Sequence, residues 1–248
     1  MDPTRVAVVT GGAKGIGRAC ALRLAEDGCD VAILDVLADE GRQATEAVRS
    51  KGRRSLFVEL DVSDEERVEA AFRLVVAELG ALRVLINAAG IIGKDSQGVL
   101  STPVAEWRRV NEVNASGTYF CIRAALPYMV EAGWGRIVNF TSAARHGSPN
   151  LLPYCVSKAG VVAITGGVAA EFTSKGILVN AVQPGRVKTD MVLTRVPKEQ
   201  IEHPGVAIGR LAEPEELAEV VCFLASERNT YMSGAIVPVM GGPSWSPR

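Results

Sequence analysis

A short continuous apolar run, Val6 to Val9, leads without a break into Thr10-Gly11-Gly12-Ala13-Lys14-Gly15-Ile16-Gly17. A helical pattern follows from Ala19 to Gly28, with Ala21, Leu22, Leu24 and Ala25 on its apolar side. A run of this kind suits a strand buried on both faces of a parallel sheet. Strand, glycine-rich turn and helix in that order form a cradle for phosphate. The glycines let the backbone approach a pyrophosphate, and the negative charge sits at the helix N-terminus. The spacing here is G-x-x-x-G-x-G rather than the commoner G-x-G-x-x-G.

Strands and helices keep alternating along the chain. Asp30 to Asp35 reads as the second strand, with Asp35 at its carboxyl end. An acidic residue roughly 20 positions after the glycine turn can accept hydrogen bonds from an adenosine ribose and would repel a 2′-phosphate. That favours NAD over NADP, although Lys14 in the glycine turn could pair with such a phosphate. Leu37 to Lys51 reads as a helix ended by Gly52, and Ser55 to Asp61 as a third strand. Asp61, followed by Val62, is placed to touch adenine. Ser63 and Glu66 have the spacing of a capping box for the next helix. Val84 begins a fourth strand that runs into Asn87-Ala88-Ala89-Gly90, where small residues let a flat ligand lie against backbone.

A helix capped by Thr102, with Pro103 at its first position, runs towards Met129 and carries Asn114 in its middle. Asparagine there competes with the backbone and can bend a helix or hold a water. Gly135 to Phe140, Ile177 to Val182 and Gly234 to Met240 read as further strands. Helices cover Tyr154 to Lys175 and Pro214 to about Ser226. The stretch from 190 to 210 has weak periodicity and three breakers, Pro197, Pro204 and Gly205, as expected of a substrate lid. The expected architecture is a single α/β domain over residues 1–248. It is doubly wound and Rossmann-type, with a mainly parallel sheet of about seven strands, helices on both faces and the site at the carboxyl ends of the strands.

Composition narrows the function classes. The 248 residues are 48% hydrophobic with a net charge of −1, and basic residues form no stripe that would suit nucleic acid or a membrane surface. The five cysteines are far apart, and the two histidines, His146 and His203, offer no metal-ligand spacing. Buried thiols in a reducing compartment are expected, with no metal. Val6 already reads as structure and no apolar run looks long enough to span a bilayer, so the expected location is the cytoplasm.

The chemistry is expected between Ser142 and Lys158. Tyr154 and Lys158 are four residues apart, which on a helix puts the phenol beside the ammonium. A cation near a phenol favours the phenolate and lowers its pKa towards the range where a general acid or base works. The Ser142 hydroxyl could meet the same substrate oxygen. Together the three would hold and protonate a carbonyl, or deprotonate an alcohol.

With these residues in hand, the chain resembles the short-chain dehydrogenase/reductase family over essentially its whole length. The matching pieces are Thr10-Gly11-x-x-x-Gly15-x-Gly17, Asn87-Ala-Ala-Gly90, Asn114, Ser142, Tyr154-x-x-x-Lys158 and Pro184-Gly185-x-x-x-Thr189. The resemblance implies that Tyr154 is the general acid/base, that Lys158 lowers its pKa and binds the nicotinamide ribose, and that Ser142 orients the substrate oxygen. It implies that Asn114, rather than the nearby Asn111, holds a water in the proton relay. Gly11, Gly15, Ile16 and Gly17 would flank the pyrophosphate. Thr189 and the Val187 backbone would bind the carboxamide, and hydride would pass between nicotinamide and the substrate carbon. It further implies a homotetramer or homodimer, with the Asn114 and Tyr154 helices packed on symmetry mates, which the Gly166-Gly167 pair fits. Two departures stand out. Alanine follows Asn87 where the family usually has a second asparagine, and Met240 precedes Gly241-Gly242 where an acidic residue is common.

The segments expected to face substrate are Gly93 to Ser101, Ala143 to Leu152 and Arg186 to Arg210. Arg145, His146 and Arg186 are candidates for binding an anionic substrate group, arginine through its bidentate fork. A polyol or sugar-like small molecule is the other substrate class. The alternatives are a 3-oxoacyl-thioester reductase, which usually goes with NADPH, and a non-catalytic NAD-binding module.

Overall fold

The computed structural model describes residues 5–93 and 98–242. The chain opens with β1 (Val6–Thr10), α1 (Gly15–Glu26), β2 (Asp30–Asp35), α2 (Ala38–Arg49), β3 (Ser55–Glu59), α3 (Glu65–Leu79) and β4 (Leu82–Asn87). Then come α4 (Val104–Asn111), a π-helical turn (Glu112–Ser116), α5 (Gly117–Glu131) and β5 (Gly135–Phe140). A 3-10 turn (Ala143–His146) precedes α6 (Leu152–Phe172), whose end tightens into a 3-10 turn (Thr173–Lys175) before β6 (Ile177–Pro184). Two short helices, α7 (Asp190–Leu193) and α8 (Lys198–Glu202), lead to α9 (Pro214–Leu224) and β7 (Ile236–Val239).

The seven strands form one parallel sheet in the order β3-β2-β1-β4-β5-β6-β7. The chain winds outward from β1 in one direction and then, from β4 on, in the other. That reversal opens a crevice at the carboxyl ends of β1 and β4, the place where ligands bind in open α/β sheets. Alternation within the strands supplies two cores. Ala7, Val9, Val31 and Ile33 pack with α1 and α9 residues such as Leu24 and Val221 on one face. Val6, Val8, Ala32 and Leu34 pack with α3 and α5 residues such as Phe72 and Ile122 on the other. Strands apolar on both sides therefore read as continuous runs in the sequence.

Several local expectations change. Ser63 does not cap α3. The N-cap is Asp64, whose side chain accepts from the Arg67 N–H, because the Ser63 hydroxyl is already engaged with Asp61 at 2.7 Å. The capping box is found instead on α9, between Glu213 and Glu216. Pro103 is the N-cap of α4 rather than its first residue. The helix expected from Thr102 to Met129 is interrupted by the π turn that carries Asn114. The last strand is shorter than expected.

The expectation that no segment is long enough to span a bilayer also fails on length. Leu152–Lys175 is 24 residues with mean hydropathy 1.3, long and apolar enough for a crossing. Its physical cause is a helix rich in Ala, Gly and Val that packs on β6, with 33% of its most apolar window buried within this chain.

Candidate active site

The glycine turn is built for close approach. Gly11 has φ +65°, and a β-carbon there would lie 2.6 Å from the Ala89 nitrogen. A β-carbon on Gly17 would lie 2.1 Å from the Gly11 carbonyl oxygen. Neither position admits a side chain. Lys14, the N-cap of α1, offers no side-chain hydrogen bond to the helix, so the first-turn N–H groups stay available to an anion.

A cleft of about 1400 Å³ runs from this turn across the carboxyl ends of the strands. Its near wall holds Gly11, Lys14, Gly15, Ile16 and Gly17. Asp35, Asp61 and Val62 also line the cleft, as do Ala88 and Gly90, Pro184, Gly185, Val187 and Thr189, and Ser142, Tyr154 and Lys158. Asn87 is not among the lining residues. Its side chain is buried in the sheet, and Nδ2 donates to Asn139 Oδ1 at 2.9 Å.

Asp35 is oriented from behind. Its Oδ2 accepts from the Ala13 N–H at 3.0 Å and its Oδ1 from the Leu37 N–H at 3.1 Å. Each oxygen keeps a lone pair for a hydroxyl. Lys14 is committed elsewhere, to Glu40 at 2.9 Å and to Asp190 at 3.7 Å. The Glu40 carboxylate accordingly raises the Lys14 pKa.

The catalytic wall is assembled from three elements. β5 delivers the chain to Ser142, which caps the 3-10 turn by accepting from the Ala144 N–H at 3.2 Å. α6 places Tyr154 and Lys158 one turn apart. The Lys158 ammonium is buried, donates to the Phe140 carbonyl at 2.8 Å and lies 5.8 Å from the Tyr154 ring centre. Burial without a carboxylate partner pushes its pKa down to about 8. Burial also pushes the Tyr154 phenol up, and the Ser142 hydroxyl partly offsets this. The expected lowering of Tyr154 by Lys158 is therefore not present in this arrangement. Desolvation of the phenol dominates.

Asn114 is buried behind this wall rather than in it. Its Nδ2 donates to the Ile91 carbonyl at 2.8 Å and to Ser157 Oγ at 2.9 Å, and its Oδ1 accepts from the Ile91 N–H at 2.8 Å. Ser157 in turn donates to the Tyr154 carbonyl at 2.8 Å. Asn111 donates to the Trp107 carbonyl of its own helix. Ser157 was not singled out by sequence, although its place on α6 between Tyr154 and Lys158 was a usable signal.

The substrate candidates separate. Arg145 and His146 sit on the 3-10 turn outside the cleft lining, with Arg145 Nε donating to His146 Nε2 at 3.1 Å. The tight turn presents Ala143 and Ala144 to the cleft instead. Arg186 does line it, beside Val192, Val196, Val206 and Met240. Of the Gly93 to Ser101 segment, residues 94–97 lie outside the described residues.

The family model described as Enoyl-(Acyl carrier protein) reductase matches residues 11–244. A cis-4-hydroxycyclohexanecarboxylate dehydrogenase of Sinomonas cyclohexanicum is 42% identical, over 96% of each chain. The chain belongs to the short-chain dehydrogenase/reductase family. A 3-oxoacyl-[acyl-carrier-protein] reductase of Staphylococcus aureus is 37% identical over 98% of this chain and 99% of its own. Among solved structures, an NAD+-bound xylitol dehydrogenase superposes with a TM-score of 0.90 at 30% identity, covering 98% of this chain and 100% of that one. This short-chain dehydrogenase/reductase is thus an oxidoreductase acting on CH–OH groups, with relatives active on cyclic, sugar-like and acyl substrates by their names.

Proposed function

We propose that this protein is an NAD-dependent dehydrogenase that interconverts a small secondary alcohol and its ketone. One relationship carries the reading. Asp35, its carboxylate turned into the cleft by two backbone N–H groups, lies in the same cleft as Tyr154 and Lys158. Two acceptors there suit a ribose diol, and a fixed carboxylate repels a 2′-phosphate. When bound, the nicotinamide supplies the hydride acceptor or donor. Gly11, Gly15, Ile16 and Gly17 would hold the pyrophosphate, and Val187 and Thr189 the carboxamide.

The protein's own groups manage the proton. Tyr154 takes or gives it at the substrate oxygen. Ser142, which lines the same cleft, holds that oxygen in place. Lys158 keeps a positive charge beside the ring, and Asn114 and Ser157 hold the α6 turn that presents the tyrosine. With Ser142, Tyr154 and Lys158 lining one cleft and Asn114 buried behind them, the non-catalytic module is disfavoured.

The substrate wall is mainly apolar with one arginine. Arg186 donates to the Gln200 carbonyl at 3.3 Å and to Gln200 Oε1 at 3.1 Å, and no carboxylate among the described residues pairs with it. That leaves N–H groups for a carboxylate or a similar anion on a compact apolar body. The hydroxycyclohexanecarboxylate in a relative's name has this character. A polyol is the second substrate class. Residues 190 to 210 act as the lid, tied to the body by Gln200 and by Arg195, which donates to the Gly93 carbonyl.

Self-association is part of the reading. Leu152, Val156 and Tyr119 are exposed, and the space above Gly166 and Gly167 is open, so the outer faces of α5 and α6 suit a second copy. All five cysteines are free and buried, which fits a reducing compartment such as the cytoplasm.

A nicotinamide absorbance assay tests the reading, with NAD and NADP in parallel. The panel comprises carboxylated and uncharged cyclic alcohols, polyols and 3-hydroxyacyl thioesters. Turnover with NAD on carboxylated alcohols, with KM raised about tenfold or more in Arg186→Ala, is the expected result for a lost charge-assisted pair. Preferred turnover of thioesters with NADP would replace it with the acyl reductase reading.

A further inference from the structure

The adenosine end of the cleft holds a cation for which the reaction has no use. Arg109, on α4, reaches over to the loop after β3. Its Nη2 donates to Asp61 Oδ2 at 2.7 Å and its Nη1 to Ser63 Oγ at 2.7 Å. The Ser63 backbone N–H and hydroxyl donate to Asp61 Oδ1, at 3.0 and 2.7 Å. This is why Ser63 is not free to cap α3.

A carboxylate has about four lone-pair sites. The two on Oδ1 are taken by Ser63 and one on Oδ2 by Arg109. One acceptor site on Oδ2 remains, and Asp61 and Arg109 both line the cleft together with Leu37 and Val62. Burial opposes the charge on Asp61, but Arg109 and Ser63 outweigh it and hold the carboxyl below its ordinary range. At neutral pH the remaining site accepts hydrogen bonds and cannot donate one.

We propose that Arg109 is a positioning residue that fixes the Asp61 carboxylate to receive the exocyclic amine of the cofactor's base, so that this protein selects adenine over hypoxanthine. An amine meets the free lone pair. A carbonyl oxygen at the same position would face a fixed carboxylate and leave both acceptors unpaired. The inference rests on the NAD reading above.

The test is binding rather than turnover. NADH and reduced nicotinamide hypoxanthine dinucleotide are titrated by fluorescence against the wild type, Arg109→Met and Arg109→Lys. The wild type is expected to bind NADH about tenfold more tightly than the hypoxanthine form, the ratio appropriate to one charge-assisted hydrogen bond. Arg109→Met is expected to bring that ratio to within about twofold while leaving the hypoxanthine Kd nearly unchanged, and Arg109→Lys to restore part of it. An unchanged ratio in Arg109→Met, or equal weakening of both dinucleotides, overturns the proposal. Ser63→Ala provides a second comparison if Arg109→Met does not fold, since it removes the hydroxyl that donates to Asp61 and accepts from Arg109. Failure of the wild type to bind either dinucleotide would instead overturn the NAD reading itself.

Discussion

Asn114 and Ile91 exchange two hydrogen bonds, each of 2.8 Å, in which the asparagine amide pairs with both the N–H and the carbonyl of Ile91. The pairing ties the loop after β4, which walls the cleft, to the π turn between α4 and α5. The same amide's second N–H reaches Ser157 at 2.9 Å and so reaches the helix of Tyr154 and Lys158. π turns within helices are often found at functional sites. Here the turn puts a side-chain amide where a regular helix would place it differently.

Asn114→Leu should therefore lose stability and rate together. Leaving the Ile91 groups and Ser157 without their partner costs about 1–3 kcal/mol. Asn114→Asp should not rescue, because a carboxylate cannot donate to the Ile91 carbonyl or to Ser157. Urea denaturation checks the first effect, and steady-state kinetics with unchanged NADH affinity checks the second.

Tyr154→Phe should lower kcat by roughly 10²–10⁴-fold, the usual worth of a positioned acid or base, with NADH binding close to that of the wild type. Fluorescence titration beside the kinetic assay decides it. Loss of NADH binding would make the tyrosine structural.

Lys158 gives a pH signature in stability. Its pKa is depressed from 10.5 to about 8 in the folded protein. Between those values the unfolded chain binds more protons, so the lysine's contribution to stability rises with pH. Below about pH 8 burial of the charge costs on the order of 3 kcal/mol. Lys158→Met should be inactive yet more stable than the wild type at pH 7. The gap should close as pH rises from about 8 to 10.5, read as Tm by calorimetry across that range. A pH-independent gap would mean that the ammonium is better compensated than its contact with Phe140 suggests.

Much of the site was legible because its chemistry is local. The Gly11 to Gly17 turn, Asp35 at a strand end and the four-residue step from Tyr154 to Lys158 each depend on spacing along one element. Arg145 and His146 fall outside the cleft lining, because nearness to Ser142 in sequence does not fix which side of a 3-10 turn faces the cleft. The Asn87 side chain is likewise buried in the sheet, where it donates to Asn139. The Ser63 cap was lost because its hydroxyl is shared between Asp61 and Arg109, the latter 46 residues away.

The sequence by itself determined the alternation of buried strands and helices, and with it the doubly wound parallel sheet. It also determined which residue types could cradle a phosphate and move a proton. Apolar periodicity and glycine placement act over a few residues, so a linear reading captures them. Only the tertiary structure decided how the charges pair. Lys14 goes to Glu40 and Asp190, Arg109 to Asp61, Lys158 to the Phe140 carbonyl, and Arg186 to Gln200 while still lining the cleft. Electrostatic and hydrogen-bond partners are set by distance in space and by burial, and neither is fixed by separation along the chain.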